Sequence, residues 1–170
     1  VFTYDADGVT MEYTGYDGRL IKQTDVNMLA YPLGVVTDPQ QTLRDINYYF
    51  DRIDPNGPAM SNAIIAVLHA RLGDPETAFK VFKKSYTDKL RPPFGVLSEN
   101  ANNSRVSFAT GLGGILQSVI FGFAGVDITD KGIVQLPTRL PSHWKSLTVT
   151  GVGVDKQTFR VENPDYKETK

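Results

Sequence analysis

The stretch that decides the fold is DPQQTLRDINYYFDRIDPNGPAMSNAIIAVLHARLGDPETAFKVFKKSY, at residues 38–86. Asp38-Pro39 and Asp74-Pro75 each place an aspartate acceptor before a proline, the pattern of a helix N-terminus. Apolar residues then recur every three or four positions, as on one face of a helix. The cluster at 54–58 is a turn signal, and Gly73 suits a helix C-terminus. The stretch predicts three helices, with two Asp-Pro starts 36 residues apart that favour stacked helical hairpins.

The pattern changes after Gly125. Thr148 to Val152 and Thr158 to Val161 alternate and are rich in β-branched residues, which predicts strands. We place a boundary near 125–131, which divides the chain into a helical part, 1–125, and a β part, 126–170. The predicted fold class is mainly α with a C-terminal β region.

Composition excludes several classes of function. The 170 residues are 41% hydrophobic and 22% charged, which indicates a globular protein. The net charge of -1 carries no electrostatic footprint for nucleic acid or an anionic membrane, and no apolar run of 18 residues predicts a membrane span. Absence of cysteine excludes a zinc-thiolate site, and two histidines do not favour a metal centre, so we expect no cofactor and no metal.

The chain begins at Val1 rather than at a methionine, and its first residues resemble the interior of a protein. We expect it to be a piece of a longer polypeptide. No signal peptide pattern is visible at this start.

Glu99 is the carboxylate that the sequence singles out. It lies in a predicted long polar loop, 91–108, between two buried helices, where catalytic groups are often found. A carboxylate there can take a proton from water. The alternative is a glutamate that merely faces solvent.

Other residues allow a functional and a structural interpretation. Lys22-Gln23 offers the donors and acceptors that sugar hydroxyls need, or it faces water at a helix start. Aromatic side chains can stack on a sugar ring, but core packing is the usual role of such residues, here Tyr13, Tyr16 and Trp144. Glycines at 111–114 favour close helix packing over a phosphate cradle, because the P-loop pattern is absent. Asn102 begins an N-glycosylation triplet, Asn102-Asn103-Ser104, which is weak evidence for secretion.

Four ordered motifs resemble glycoside hydrolase family 65. They are KQTDV at 22–26, DPNGPAM at 54–60, LSE at 97–99 and FATGLGGILQ at 108–117. The similarity extends from about residue 10 to about residue 152, and the nearest subgroup resembles the acid trehalases of fungi.

This resemblance implies that residues 1–125 are the last helices of an (α/α)6 catalytic barrel, followed by part of a C-terminal β-domain. It implies that Lys22 and Gln23 bind the glucosyl unit and that Glu99 is the general base of an inverting hydrolysis. The general acid has no counterpart here, so we expect it on an N-terminal partner chain of the same enzyme. The expected substrate is trehalose or a related α-glucoside, and the expected location is extracellular, cell wall or vacuolar.

The resemblance leaves alternatives open. Phosphorylases of this family carry a histidine-containing segment near the glycine-rich helix start, whereas this chain has Ser107-Phe108-Ala109 there and Glu99 as well, which favours hydrolysis. Leu112 and Asn100 depart from the trehalase pattern, and Asn100-Ala101 is similar to the glucosidase that trims glucosylgalactosyl-hydroxylysine. A kojibiose-type glucosidase, a disaccharide phosphorylase and a non-catalytic sugar-binding module are the other interpretations.

Overall fold

A computed structural model describes residues 2–102 and 107–166 of the chain. The helices are α1 Asp25–Met28, α2 Pro39–Phe50, α3 Met60–Arg71, α4 Pro75–Lys84 and α5 Ala109–Gln117, and α5 continues as a π-helical segment, Ser118–Phe123. The strands are β1 Leu90–Arg91, β2 Val96–Leu97, β3 Val126–Thr129, β4 Gly132–Gln135, β5 Ser146–Val152 and β6 Gln157–Glu162. They pair in sequence order as three antiparallel two-stranded sheets.

The two Asp-Pro helix starts are confirmed. The Asp38 side chain accepts a hydrogen bond from the backbone N–H of Gln40, and that of Asp74 accepts one from Thr77. Each such cap stabilises its helix by about 1 kcal/mol. Gly73 lies in the turn between α3 and α4. Its φ is +82°, a conformation that glycine adopts without strain.

Helix α3 lies at the centre of the core. Its residues from Ile65 to Ala70 are all buried, as expected from its apolar character on most sides. The main hydrophobic cluster joins α3 to α4, to the π-helical segment and to the C-terminal region. Its members include Tyr31, Ile46, Ile65, Leu68, Phe82, Phe123, Leu140 and Val161. The helices and the last strand therefore share one core.

Glycines let α5 approach α3 closely. A Cβ atom at Gly114 would lie 2.9 Å from the Cβ of Ala63, and one at Gly111 would lie 2.8 Å from a methyl group of Leu97. The Ser118 hydroxyl then donates to the Ala63 carbonyl oxygen at 3.1 Å. Close helix packing is therefore confirmed as a role of Gly111 and Gly114, but not of Gly113, where a Cβ would meet no atom within 4 Å.

Loop and strand predictions had mixed outcomes. The strands at 148–152 and 158–161 are confirmed as parts of β5 and β6, which pair with a register irregularity between Val149 and Val152. The prediction of a long polar loop at 91–108 was wrong for its first part, because β1 and β2 form a hairpin in which Arg91 pairs with Val96. The boundary near 125–131 remains a prediction, and β3 begins at Val126. No helix in the described ranges is long and apolar enough to cross a membrane.

Alanine substitutions at two neighbouring glycines test the packing of α5. Gly114→Ala should lower the free energy of unfolding by about 1–3 kcal/mol, because the new methyl group meets Ala63. Gly113→Ala is the matched control, since a Cβ there has no atom within 4 Å, and it should raise stability by about 0.5–1 kcal/mol. Urea unfolding of the protein that carries this chain measures both. Equal shifts in the two variants would contradict this packing.

Candidate functional site

The Lys22-Gln23 pair follows a buried anchor, Ile21. Ile21 forms a parallel bridge with Ile53, in which its N–H donates to the Arg52 oxygen at 2.8 Å and its own oxygen accepts from Asp54 N–H at 2.9 Å. Its side chain packs with those of Tyr16, Val26 and Tyr49 in a second hydrophobic cluster. The backbone on the N-terminal side of the pair is therefore fixed to the chain that leaves α2.

A tight turn, residues 54–59, lies beside this segment. Gly57 N–H donates to the Asp54 carbonyl oxygen at 2.7 Å, and Asn56 N–H donates to the Asp54 carboxylate at 2.8 Å. A Cβ at Gly57 would lie 2.7 Å from the Asp54 oxygen and 3.3 Å from the Lys22 oxygen, both of them backbone atoms. Only glycine fits at this position without displacing the backbone of Asp54 or of Lys22.

The same turn holds the segment that carries Glu99. Ala59 N–H, at the start of α3, donates to the Glu99 carbonyl oxygen at 3.0 Å. Buried Ser98 is held by Lys89, whose carbonyl oxygen accepts from both the Ser98 N–H at 2.9 Å and its hydroxyl at 3.0 Å. Glu99 thus has a defined backbone position although it follows a short hairpin.

These contacts bring the predicted lysine and glutamate together. Lys22 Nζ lies 3.8 Å from Glu99 Oε1. The lysine side chain is 70% exposed and the glutamate side chain is 28% exposed, so the pair lies at the surface with the carboxylate partly sheltered. Such a surface pair contributes about 1 kcal/mol or less to the stability of the fold. The pair is relevant here because it places two candidate site residues side by side.

Gln23 lines a small cavity of about 170 Å³ beside the glycine-rich start of α5. Thr24, Ser61, Thr110 and Gln117 supply polar groups to its walls. The cavity places the end of the Lys22-Gln23 segment against α5, which the spacing of the motifs alone did not reveal.

Tyr31 contacts Gln117 of the cavity wall, and Arg71 packs on the Tyr31 ring. Neither residue was identified as a candidate from the sequence. The Tyr31 hydroxyl donates to Gln117 Oε1 at 2.8 Å, and the Arg71 guanidinium lies 4.6 Å from the centre of its ring. Arg71 also donates to Asp127 Oδ1 at 2.9 Å. Burial raises the pKa of Tyr31 to about 12, so its hydroxyl remains a donor at neutral pH.

The aromatic candidates separate by burial. Trp144 packs in the main core, with its ring 5.0 Å from that of Phe123, and Tyr16 is buried in the second cluster. Tyr13 is 48% exposed and meets Tyr16 edge to face at 5.4 Å. Core packing therefore accounts for Trp144 and Tyr16, whereas the Tyr13 ring is open to a ligand.

His69, one of the two histidines, and Asn102, the start of the glycosylation triplet, both contact other parts of the chain. His69 is buried in α3, its Nδ1 lies 3.8 Å from Asp74 Oδ2, and no group of potential metal ligands occurs among residues 2–102 and 107–166. Asn102 is exposed and its amide donates to the Asn56 side chain. The remainder of its glycosylation triplet lies outside the described residues.

Comparisons with known proteins identify homologues along most of the chain, although no family model matches it. The chain is 50% identical over 157 residues to kojibiose hydrolase of Mucilaginibacter mallensis, which amounts to 92% of this chain and 23% of that protein. It is 35% identical over 150 residues to protein-glucosylgalactosylhydroxylysine glucosidase of Dictyostelium discoideum, covering 88% of this chain and 21% of that protein. The chain thus spans less than a quarter of the length of these relatives.

The trehalase relatives are more distant than the sequence motifs suggested. Periplasmic acid trehalase of Saccharomyces cerevisiae is 31% identical over 135 residues, or 71% of this chain and 11% of that protein. The homologues are glycoside hydrolases similar to those of family 65, and identity is higher to the kojibiose hydrolase than to the trehalase.

The fold has a counterpart among solved structures. A protein described as a kojibiose phosphorylase from the human microbiome superposes with a TM-score of 0.70 at 18% identity, over 95% of this chain and 26% of that one. This similarity shows that the fold of the chain is also found in part of that protein.

A pH titration of stability tests the neutral state of His69. Burial lowers the pKa of His69 below its ordinary value of 6.5, and nearby Asp74 offsets this only in part. Between the lowered pKa and 6.5 the unfolded chain binds more protons, so stability should rise with pH by up to about 1.4 kcal/mol for each unit of pKa difference.

His69→Gln should flatten this pH dependence in urea unfolding measured between pH 5 and pH 7.5. His143→Gln, at an exposed histidine, is the matched control and should retain it. A slope unaffected by His69→Gln would contradict the assignment.

Proposed function

We propose that this chain is part of an inverting α-glucoside hydrolase of glycoside hydrolase family 65, in which Glu99 is the general base. Lys22 and Gln23 are proposed to bind the glucosyl unit whose bond is cleaved. The observation that carries the proposal is the 3.8 Å approach of Lys22 Nζ to Glu99 Oε1, held by a shared turn. Residues 77 positions apart in sequence thereby face one substrate position.

In the proposed reaction, Glu99 takes a proton from a water molecule, whose oxygen attacks the anomeric carbon. The bond to the leaving oxygen breaks, and a general acid protonates that oxygen. In inverting enzymes the two carboxyl groups lie roughly 6.5–9.5 Å apart to make room for the water. We propose that the acid lies on an N-terminal part of the enzyme outside this chain, so that neither part acts alone.

Lys22 and Gln23 suit the glucosyl unit because of their hydrogen-bonding capacity. The ammonium group donates three hydrogen bonds, while the amide both donates and accepts, as the hydroxyls of a sugar require. Both side chains are exposed, and the backbone behind them is anchored at Ile21. A fixed backbone that presents exposed side chains allows binding without reorganisation of the fold.

Hydrolysis is favoured over phosphorolysis by charge and by composition. A phosphate anion placed beside the Glu99 carboxylate would be repelled. No histidine precedes the glycine-rich helix, where the sequence reads Ser107-Phe108-Ala109. We propose that the helices form the end of an (α/α)6 barrel, and that the β region belongs to a C-terminal domain.

Kojibiose is the proposed substrate, because the identity of 50% covers 92% of the chain. Trehalose is the second candidate, supported by 31% identity over 71% of the chain to the periplasmic acid trehalase. An extracellular, cell wall or vacuolar location is proposed with the second candidate, since that relative is periplasmic by name. Glycosylation at exposed Asn102 is proposed only for that case.

Substitution of Glu99 in the whole enzyme tests the general base. Glu99→Ala should lower kcat for the disaccharide by about 10²–10⁴-fold, because water is no longer deprotonated. Azide, which needs no deprotonation, should restore turnover and yield β-glucosyl azide. Asp130→Asn, at an exposed acidic residue remote in sequence, is the matched control and should keep wild-type turnover. Wild-type kcat in Glu99→Ala would discard the assignment.

Product analysis separates hydrolysis from phosphorolysis. Wild-type enzyme should cleave kojibiose without phosphate, and proton NMR in the first minutes should show the newly released glucosyl unit as the β-anomer. Initial α-glucose in excess of the α-anomer that the reducing-end unit of kojibiose supplies would refute inversion. Strict dependence on phosphate, with release of a glucose phosphate, would refute hydrolysis. A higher kcat/KM for trehalose than for kojibiose would select the second substrate.

A further inference from the structure

An open groove of about 420 Å³ runs along the Lys22-Gln23 segment. Its walls include Glu12, Tyr13, Arg19 and Asp25 in addition to the lysine and the glutamine. It is separate from the 170 Å³ cavity beside α5, although Gln23 borders both. Glu99 does not line it. None of the roles proposed above uses the Glu12–Tyr13 wall.

The position of the groove relative to Glu99 indicates what enters it. Lys22 contacts Glu99 and also borders the groove, so the lysine lies between the two. In an inverting displacement, the activated water and the leaving group occupy opposite faces of the glucosyl ring. With water on the Glu99 side of a glucosyl unit bound at Lys22-Gln23, the leaving group departs toward the other side.

We propose that this groove is the subsite for the leaving-group sugar of the disaccharide, with the Tyr13 ring as its stacking platform. The proposal rests on the proposed function, because it presupposes a glucosyl unit at Lys22 and Gln23. The ligand class is a hexopyranose, which has C–H groups on its ring faces and hydroxyls at its rim.

Tyr13 is held for this role before a ligand arrives. Tyr16 contacts it edge to face at 5.4 Å and 81°, and Tyr16 is itself fixed because its hydroxyl donates to the Arg19 carbonyl oxygen. Upstream, the Tyr49 hydroxyl donates to the Thr10 oxygen at 2.7 Å. An exposed aromatic ring on an anchored segment loses little conformational entropy on binding.

Polar groups around the ring suit the hydroxyls of a sugar. Asp25 is exposed and borders the groove, so its carboxylate can accept hydrogen bonds from sugar hydroxyls, whereas Glu12 Oε2 is shielded from solvent and forms part of the wall. Burial, together with the nearby Asp25, raises the pKa of Glu12. Arg19 is already paired with Asp17 at 2.7 and 2.8 Å, so it shapes the rim.

Two substrates that differ only in the leaving group test the proposal in the whole enzyme. Kojibiose occupies both subsites, whereas α-D-glucosyl fluoride occupies only the glucosyl subsite. Tyr13→Ala should lower kcat/KM for kojibiose about tenfold, mainly through KM, and should change kcat/KM for the fluoride less than about twofold. Tyr13→Phe keeps the ring and should stay near wild type on both.

Tyr4→Ala is the matched control, because Tyr4 is exposed to a similar extent and does not line the groove. Equal losses on the two substrates, or no loss on kojibiose, would overturn the assignment of the groove. Wild-type enzyme that cleaves neither substrate would instead refute the proposed function, and the subsite with it.

Discussion

The candidate site depends on one turn, Asp54 to Ala59, which ties two distant segments together through backbone hydrogen bonds. Asp54 N–H donates to the oxygen of Ile21, and Ala59 N–H donates to the oxygen of Glu99. Gly57 leaves the space that the backbone oxygens of Asp54 and Lys22 need for their close approach. Because backbone groups make these bonds, the positions of Lys22 and Glu99 do not depend on the conformations of long side chains.

The turn is in its place because α3 begins immediately after it and is buried along most of its length. The cluster around α3 includes Leu140 and Val161, so the C-terminal region contributes to the support of the site. Close packing of α5 at Gly114 then brings Gln117 to the cavity that Gln23 lines. The candidate side chains at the surface are thus carried by elements that pack closely against one another.

Local signals were readable from the sequence, whereas proximity was not. The Asp-Pro caps and the strands near 148–161 follow from residue types at neighbouring positions, and the motifs identified Lys22, Gln23 and Glu99 as candidates. The β1–β2 hairpin could not be predicted because its strands have two residues each, too few to show an alternating pattern of apolar and polar residues. The contact between Lys22 and Glu99 escaped because tertiary packing produces it, as it does the link between Tyr31 and Gln117.

The residues proposed for the reaction and the residue proposed to select the leaving-group sugar are held in different ways. The backbone that carries Lys22 and Glu99 is fixed by a single turn through hydrogen bonds that their side chains do not make, so the proposed reaction depends on the geometry of that turn. The Tyr13 side chain packs against the Tyr16 ring, outside that turn, so its replacement leaves the turn intact. Under the proposed function, the groove wall can therefore change while the proposed general base and glucosyl-binding residues stay the same. Relatives named for kojibiose, for glucosylgalactosylhydroxylysine and for trehalose are the outcome that this separation predicts.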